Sequence, residues 1–278
     1  GRYTMLVLQF ISTTILARIL TPEDIGIYTA GFSIIAFAHL FRDFGLNQYL
    51  IQEKELTNEK IRATFTLSLL IAWSFGVMIY FGSTAAAEFF NEDGVETLLQ
   101  LLAISFFIIP FGSITLAILR KNLKFHIAAF INFLATLAGT AVAVSTAFAG
   151  AKYMCLAYGA VTETAIVVLV SLFFRPKNLP LMPSFKGIKH VLRFGSIVGV
   201  GNIIAQFSSS VTGALIARIM GVASLGFFSR ALSTFSLFEQ LFVSSISSTI
   251  LPLFSRENHD SEKLANAYLK SVEYSFIF

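Results

Sequence analysis

The amino-acid sequence predicts an all-α, polytopic membrane protein with two parallel-repeat helical lobes of six helices each, the second of them truncated. The first observation is composition, since 55% of the 278 residues are hydrophobic and only 13% are charged. A soluble domain carries about 25% charged residues, because water has to wet its surface. The second observation is a series of long apolar segments, and the third is an internal repeat.

Nine apolar segments, two of them incomplete, give the predicted helices in order. They lie at 3–20, 25–50, 61–82, 97–119, 127–149, 153–174, 194–220, 222–250 and 264 onward. A helix needs about 20 residues to cross about 30 Å of hydrocarbon. Because backbone polar groups within lipid must be hydrogen-bonded inside the protein, we expect helices and no open strands.

The basic residues predict the orientation. If the N-terminus is cytoplasmic, 15 of the 20 Lys and Arg residues fall in inner loops and flanks, and Lys152 alone falls in an outer loop. The largest outer loop, 83–96, carries four acidic residues instead. The positive-inside rule therefore predicts a cytoplasmic N-terminus. It also accounts for the net charge of +4, which forms no continuous basic patch and predicts no nucleic-acid partner.

The most polar inner connection divides the chain into predicted domains. We expect an N-lobe of six helices at 1–174, a cytoplasmic linker at 175–193 and the start of the C-lobe at 194–278. Three prolines exclude a continuous helix through the linker. The apolar residues that follow them alternate with basic ones, as in an ordinary linker or in a short amphipathic helix on the membrane surface. These apolar residues are Phe185, Ile188 and Leu192.

An internal repeat predicts the two-lobe architecture. Segment 15–33, ILARILTPEDIGIYTAGFS, aligns without a gap to segment 215–233, LIARIMGVASLGFFSRALS, at an offset of 200. The alternative is chance likeness between apolar helices, but the matched arginines (Arg18, Arg218) and glycines (Gly26, Gly226) are not generic. Six predicted helices separate the copies. Because an even number of crossings gives both copies the same orientation in the membrane, the lobes are predicted to be parallel. By the same offset, we expect the second lobe to continue after residue 278.

Five motifs carry a resemblance that covers the whole chain. They are ILARILTPEDIGIYT (15–29), FRDFGLNQYLIQ (41–52), AEFFNEDGVETLLQLLAIS (87–105), LRKNLKF (119–125) and MGVASLGFFSRA (220–231). In order and spacing they resemble the polysaccharide and O-antigen flippases of the multidrug/oligosaccharidyl-lipid/polysaccharide exporter superfamily.

The resemblance implies a V-shaped cavity between two lobes and transport by alternating access across the bacterial plasma membrane. It implies a polyprenyl-pyrophosphate-linked oligosaccharide as substrate, membrane lipids around a monomer, and polysaccharide polymerase and chain-length proteins as partners. One departure concerns position 212. Such proteins often carry an acid near there in the seventh helix, whereas this chain has Thr212.

The candidate substrate-binding residues are Arg18, Arg218, Arg230, Asn202 and Gln206. Arginine binds phosphate oxygens through two parallel hydrogen bonds, which suits a pyrophosphate-linked sugar. The alternative for the arginines is snorkelling to the membrane interface. For Asn202 and Gln206, which share one face of the seventh helix, the alternative is hydrogen bonding between packed helices.

The candidate ion-coupling residues are Glu163, His39, Asp43 and Glu239. Charged groups at membrane depth are costly and mark pathways for ions or substrates. His39 and Glu239 are equivalent in the repeat, and His39 precedes Asp43 by four residues on one helical face. Glu163 lies near the middle of the sixth helix and is a candidate proton carrier or a structural hydrogen-bonded group. If the second helix ends near residue 44, Asp43 is an ordinary interfacial charge.

The sequence predicts no catalytic residue, metal site or cofactor. It contains no phosphate-binding loop, no HExxH and no GxSxG motif, and its four histidines are scattered. Two other functions remain open: a drug/cation antiporter of the same superfamily and a membrane polysaccharide polymerase or ligase. The first should have an acidic cleft, and the second needs long outer loops with catalytic side chains. A structural scaffold would leave the charges at membrane depth unexplained.

Overall fold

The computed structural model describes residues 2–43, 45–53, 55–176, 183–188, 191–192 and 211–236, and these residues contain helices and turns without strands. The first eight helices are α1 (Arg2–Ile19), α2 (Pro22–Asp43), α3 (Leu46–Gln52), α4 (Asn58–Phe90), α5 (Gly94–Ile108), α6 (Pro110–Lys121), α7 (Phe125–Phe148) and α8 (Met154–Phe173). They are followed by α9 (Val211–Met220) and by helical residues 222–236. Asn202, Gln206, Glu239 and the side chain of Asp43 lie outside the described residues.

The chain divides into two compact units, Gly1–Ser229 and Arg230–Phe278. In the first unit, the largest buried cluster is built from α2, α4, α5 and α8, with Ala217 of α9 and Leu225. In the second unit, the described residues are helical, and the hydroxyl of Thr234 donates to the carbonyl of Arg230 at 3.0 Å. The domain boundaries predicted at 174 and 193 stay predictions.

Membrane-spanning length and composition are met by α4, α7 and α8 among the described helices. A fourth span results if α5 and α6, which are bent by 53° relative to each other, are taken together. Large hydrophobic side chains such as Phe81, Phe148 and Phe173 are exposed on these helices. Apolar side chains on the outside of apolar helices are what lipid requires, so the protein is an α-helical membrane protein.

The second predicted span, 25–50, was wrong as a single helix. The structure ends α2 at Asp43 and begins α3 at Leu46, because Gly45 adopts the left-handed conformation (φ 67°) that glycine accepts without steric cost. Helix α3 is buried on one face by Leu46, Tyr49 and Leu50. The break at Gly45 also means that His39 lies in the last turns of α2 and not in the middle of a long span.

The fourth predicted span contains a bend, and the predicted loop 83–96 was wrong. The fourth span, 97–119, is bent because Pro110 has no N–H to donate and its ring clashes with the preceding turn. The segment 83–96, predicted as an outer loop, is mostly helical, and its turn is confined to residues 91–93. Asn91 caps α4 in the left-handed conformation (φ 53°), and the side chain of Thr84 donates to Glu96 at 2.9 Å.

Among the first eight helices, α7 and α8 form the most extensive helix pair. The small residues Ala135, Gly139 and Ala143 recur every four positions along α7, and all three are buried. A Cβ atom added to Gly139 would lie 2.8 Å from the carbonyl oxygen of Gly159 in α8. The two backbones therefore approach as closely as small residues allow, which is how helices gain packing energy in lipid.

Part of the linker is held against the helices. The backbone N–H of Ser184 donates to the hydroxyl of Thr66 in α4 at 2.7 Å, and Val191 is buried beside Ile188 in a second core cluster. Phe185 and Leu192 remain exposed, as a face directed toward lipid would be. Basic residues 189 and 193 lie outside the described residues, so the amphipathic helix stays a prediction.

Candidate functional site: a polar cavity and a backbone contact between repeat copies

A cavity of about 150 Å³ lies between α2, α5 and α8. Its lining residues are Phe32, Ile35, His39, Leu102, Ser105, Ala160, Glu163 and Thr164. Two of the four residues predicted for ion coupling, His39 and Glu163, therefore share one cavity although 124 positions separate them in sequence. Among the eight lining residues, these two alone carry an ionisable side chain, and Ser105 and Thr164 add hydroxyl groups.

His39 is fixed by stacking. Its ring lies 4.7 Å from the ring of Phe106 in α5, with an interplanar angle of 13°. Its Nδ1 atom is buried and has no hydrogen-bond partner among the described residues. A buried polar atom without a partner is costly, and proteins usually satisfy such an atom with water or a ligand.

Helix α7 contacts the side chain of Glu163. The hydroxyl of Thr136 donates to Oε1 of Glu163 at 2.8 Å. A Cβ atom added to Gly139 would lie 2.9 Å from Cβ of Glu163, so the close approach of α7 also fixes where this side chain leaves its helix. Glu163 is more exposed than its position in the middle of α8 predicted. Sequence reasoning missed Thr136, because no local pattern relates it to Glu163.

The end of the bundle at which α1 stops and α2 begins carries a second feature, a direct backbone contact between the two repeat copies. A Cβ atom added to Gly26 would overlap the carbonyl oxygen of Val222, and one added to Gly226 would overlap the carbonyl oxygen of Pro22. The contact is reciprocal, and each pair of partners obeys the repeat offset of 200. Glycine is required at both positions because any side chain would push the two helices apart.

The TPED motif fixes the start of α2 beside this contact. The Thr21 hydroxyl accepts from the Asp24 backbone N–H at 3.1 Å, while the Asp24 carboxylate accepts from the Thr21 backbone N–H at 3.0 Å and from its hydroxyl at 2.7 Å. This reciprocal capping box satisfies helix N–H groups that would otherwise lack partners. It explains how Asp24 can be buried. No role is predicted from the sequence for either residue.

Arg218 makes a further contact at the same end. Its guanidinium donates to the carbonyl oxygen of Phe89 at 2.6 Å and lies 5.4 Å from the centre of the Phe89 ring. The last carbonyl groups of a helix lack intrahelical partners, so Arg218 caps the C-terminal end of α4. Its repeat equivalent Arg18 is exposed in the last turn of α1. The two arginines are thus not in equivalent surroundings.

An apolar pocket of about 290 Å³ lies beside this end, between α2, α4 and α9. Its lining residues are Ser33, Ile34, Phe37, Ala86, Phe89, Phe90, Val211 and Ala214. Thr212, which follows Val211 in α9, is exposed. The resemblance had led us to expect an acid near this position. Arg230 begins the second compact unit and is half-buried in a helix.

Comparisons with known proteins agree with one another. A family model described as "Polysaccharide biosynthesis protein" matches residues 15–278. The chain is 26% identical over 265 residues to "Lipopolysaccharide biosynthesis protein WzxC" of Escherichia coli K12, which covers 95% of this chain and 54% of that protein. It is 23% identical over 275 residues to "Succinoglycan biosynthesis transport protein ExoT" of Rhizobium meliloti, covering 97% and 55%.

A solved structure gives the same fold. It is the inward-facing conformation of a multidrug resistance MATE family transporter of the MOP superfamily, with a TM-score of 0.70 and 19% identity. The match covers 98% of this chain and 67% of that one. The chain spans about half the length of the curated relatives it matches.

Proposed function

The chain belongs to the polysaccharide biosynthesis protein family, and from that premise we propose that the full protein moves a lipid-linked oligosaccharide across the bacterial plasma membrane by alternating access. The observation that carries the proposal is the reciprocal contact of Gly26 with Gly226. The two glycines occupy equivalent positions of the two repeat copies. If the copies rock as rigid bodies, this contact can form in one state and be released in the other.

The proposed orientation places this contact at the outer surface. With a cytoplasmic N-terminus, α1 ends and α2 begins at the outer face, in agreement with the basic inner loops. The contact of the glycines and the cap of Arg218 on Phe89 then close the outer side. In this account, substrate enters from the cytoplasmic side and leaves when both contacts open.

The proposed substrate is a polyprenyl-pyrophosphate-linked oligosaccharide. Two relatives are named transport proteins, ExoT for succinoglycan and a putative O-antigen transporter of Shigella flexneri. These names favour saccharide export over both drug/cation antiport and polysaccharide polymerisation, and we propose no catalytic residue. Exposed Arg18 is the best-placed cation for the pyrophosphate. Arg218, Arg230, Asn202 and Gln206 stay proposed substrate contacts, and a monomer working beside polymerase and chain-length proteins stays a proposal.

The two repeat arginines make the proposal testable. In full-length protein expressed in a strain that lacks its own flippase, we expect Arg18→Ala and Arg218→Ala to lower surface polysaccharide by about tenfold, because a charge-assisted hydrogen bond contributes about 1.5–3 kcal/mol. Lys at either position should restore part of the loss. Surface polysaccharide is measured at matched membrane protein levels.

The thermal stability of the same variants separates the two roles. Arg218→Ala should lower the apparent Tm of the purified full-length protein, since it uncaps α4, whereas Arg18→Ala should leave the Tm unchanged. Normal polysaccharide in all four variants would remove the arginines from the substrate site.

A further inference from the structure

Residues 183–188 of the linker, which we call the anchored segment, are fixed to the side of α4. The hydroxyl of Thr66 in α4 accepts from the backbone N–H of Ser184 at 2.7 Å. Thr66 is buried, so water does not compete for this hydrogen bond. Further along the linker, Ile188 and Val191 pack in a cluster with residues of α3, α4 and α6. The segment therefore has a defined place on the first helices.

The hydrogen bond to Thr66 sets the height of the anchored segment in the membrane. Helix α4 has 33 residues, so it is about 50 Å long at about 1.5 Å per residue. The hydrocarbon core is about 30 Å thick, so a centred helix extends about 10 Å beyond it at each end. Thr66 follows Asn58, the first residue of α4, by about 12 Å along the axis. The anchored segment therefore lies near the boundary between head groups and hydrocarbon.

The anchored segment carries an exposed aromatic ring beside a basic side chain. Phe185 is 73% exposed, and the next residue, Lys186, is exposed as well. The whole linker, 175–193, contains five Lys and Arg residues and no Asp or Glu. An aromatic ring next to basic residues suits the boundary at which acyl chains meet head groups, because the ring enters the hydrocarbon while the charges stay with the phosphates.

The turn 122–124, between α6 and α7, has the same character at the same end of the bundle. Leu123 is 73% exposed and Phe125 is 57% exposed, and Lys124 between them is also exposed. The ammonium group of Lys121 donates to the carbonyl oxygen of Glu53, just before α4. This contact places the turn at the end where α4 begins, which is also the end that carries the anchored segment.

We propose that the anchored segment and the turn 122–124 bind anionic phospholipids of the leaflet at which α4 begins. Phe185, Leu123 and Phe125 insert among the acyl chains, and Lys186 and Lys124 contact the phosphate groups of lipids that carry a net negative charge. The turn at the other end of α4, residues 91–93, holds two acids and no basic residue, so it repels the same head groups. This site does not rest on the proposed function.

Hydrogen exchange of the full-length protein tests the site, in nanodiscs of phosphatidylcholine or of a phosphatidylcholine–phosphatidylglycerol mixture. We expect the amides of residues 185–188 to exchange at least about fivefold more slowly in the anionic nanodiscs, since one Lys beside an anionic surface changes binding about fivefold. Lys186→Gln should remove most of that difference. Lys152→Gln, an exposed lysine in the turn at the other end of α7, should leave it unchanged.

A matched pair of phenylalanines tests insertion into the hydrocarbon. Phe185→Ser should speed the exchange of residues 186–188 in both kinds of nanodisc, because the contact of the ring with acyl chains does not depend on lipid charge. Phe148, at the end of α7, is equally exposed at 73%, and Phe148→Ser should not change the exchange of these residues. Thermal unfolding of each variant checks that it is folded.

Four results would overturn the lipid site. The first is equal exchange of the anchored segment in the two kinds of nanodisc, and the second is a difference that Lys152→Gln abolishes as fully as Lys186→Gln, since net charge alone would then explain it. Protection by inorganic phosphate in phosphatidylcholine nanodiscs would indicate a site for free phosphate. Stronger protection by a polyprenyl phosphate than by phosphatidylglycerol at equal mole fraction would assign the site to a lipid carrier.

Discussion

Gly26→Val and Gly226→Val should each strongly lower polysaccharide export while the protein stays in the membrane. The added side chain would overlap the backbone of the other repeat copy, at Val222 in one case and Pro22 in the other. Neither neighbour is a side-chain end that can rotate away, so the helices must separate. Overpacking costs about 1–3 kcal/mol, and a bias of that size changes a two-state population about 5- to 150-fold. We expect at least about a tenfold loss of surface polysaccharide.

The matched control is Gly82→Val in α4. Gly82 is an exposed helical glycine, and a Cβ atom placed there meets no atom within 4 Å. The same substitution should therefore leave export and membrane levels unchanged. If both contact variants export normally and Gly82→Val does too, the glycine contact takes no part in the transport cycle.

A second large effect is expected at the α7–α8 interface. Gly139→Leu and Gly159→Leu should lower the apparent Tm of the purified full-length protein by roughly 6–12 °C, on the basis of about 3 kcal/mol of overpacking and about 2–4 °C per kcal/mol. The Cβ atom of residue 159 would lie 2.8 Å from Cβ of Ala143 and 2.9 Å from the carbonyl oxygen of Gly139. Thermal unfolding in detergent measures the effect.

Gly82→Leu serves as the control for the same change in side-chain size. An unchanged Tm for both interface variants would mean that α7 and α8 do not depend on backbone contact. Because Gly139 also fixes the position of Glu163, Gly139→Ala offers a milder variant that keeps the fold and shifts the carboxylate.

Among the described residues, the predicted spans at 3–20, 61–82, 127–149 and 153–174 correspond to α1, α4, α7 and α8, because apolar length is a strong signal in a membrane protein. Boundaries failed where local backbone chemistry outweighs hydropathy. Gly45 divides a predicted span through its left-handed conformation, and Pro110 bends another. The segment 83–96 is charged, and its helices are held by capping and by the Thr84–Glu96 hydrogen bond, which hydropathy does not register.

The functional residues divide in the same way. His39 and Glu163 were identifiable individually, since charges at membrane depth are costly. Their common cavity could not be foreseen, because it depends on packing between helices far apart in sequence. The repeat predicts that Arg18 and Arg218 are equivalent, whereas the structure gives them different surroundings. The repeat also matches Gly26 with Gly226, but their reciprocal contact is visible only in the structure.

The most direct test of saccharide export locates the lipid-linked oligosaccharide in the membrane. Spheroplasts of a flippase-deletion strain are treated with a membrane-impermeant oxidant of sugar diols, with and without the full-length protein. Export predicts that the oligosaccharide is protected in the inner leaflet without the protein and becomes reactive with it. If the protein leaves the oligosaccharide protected, or changes its polymer length without changing its leaflet, the protein is not a flippase.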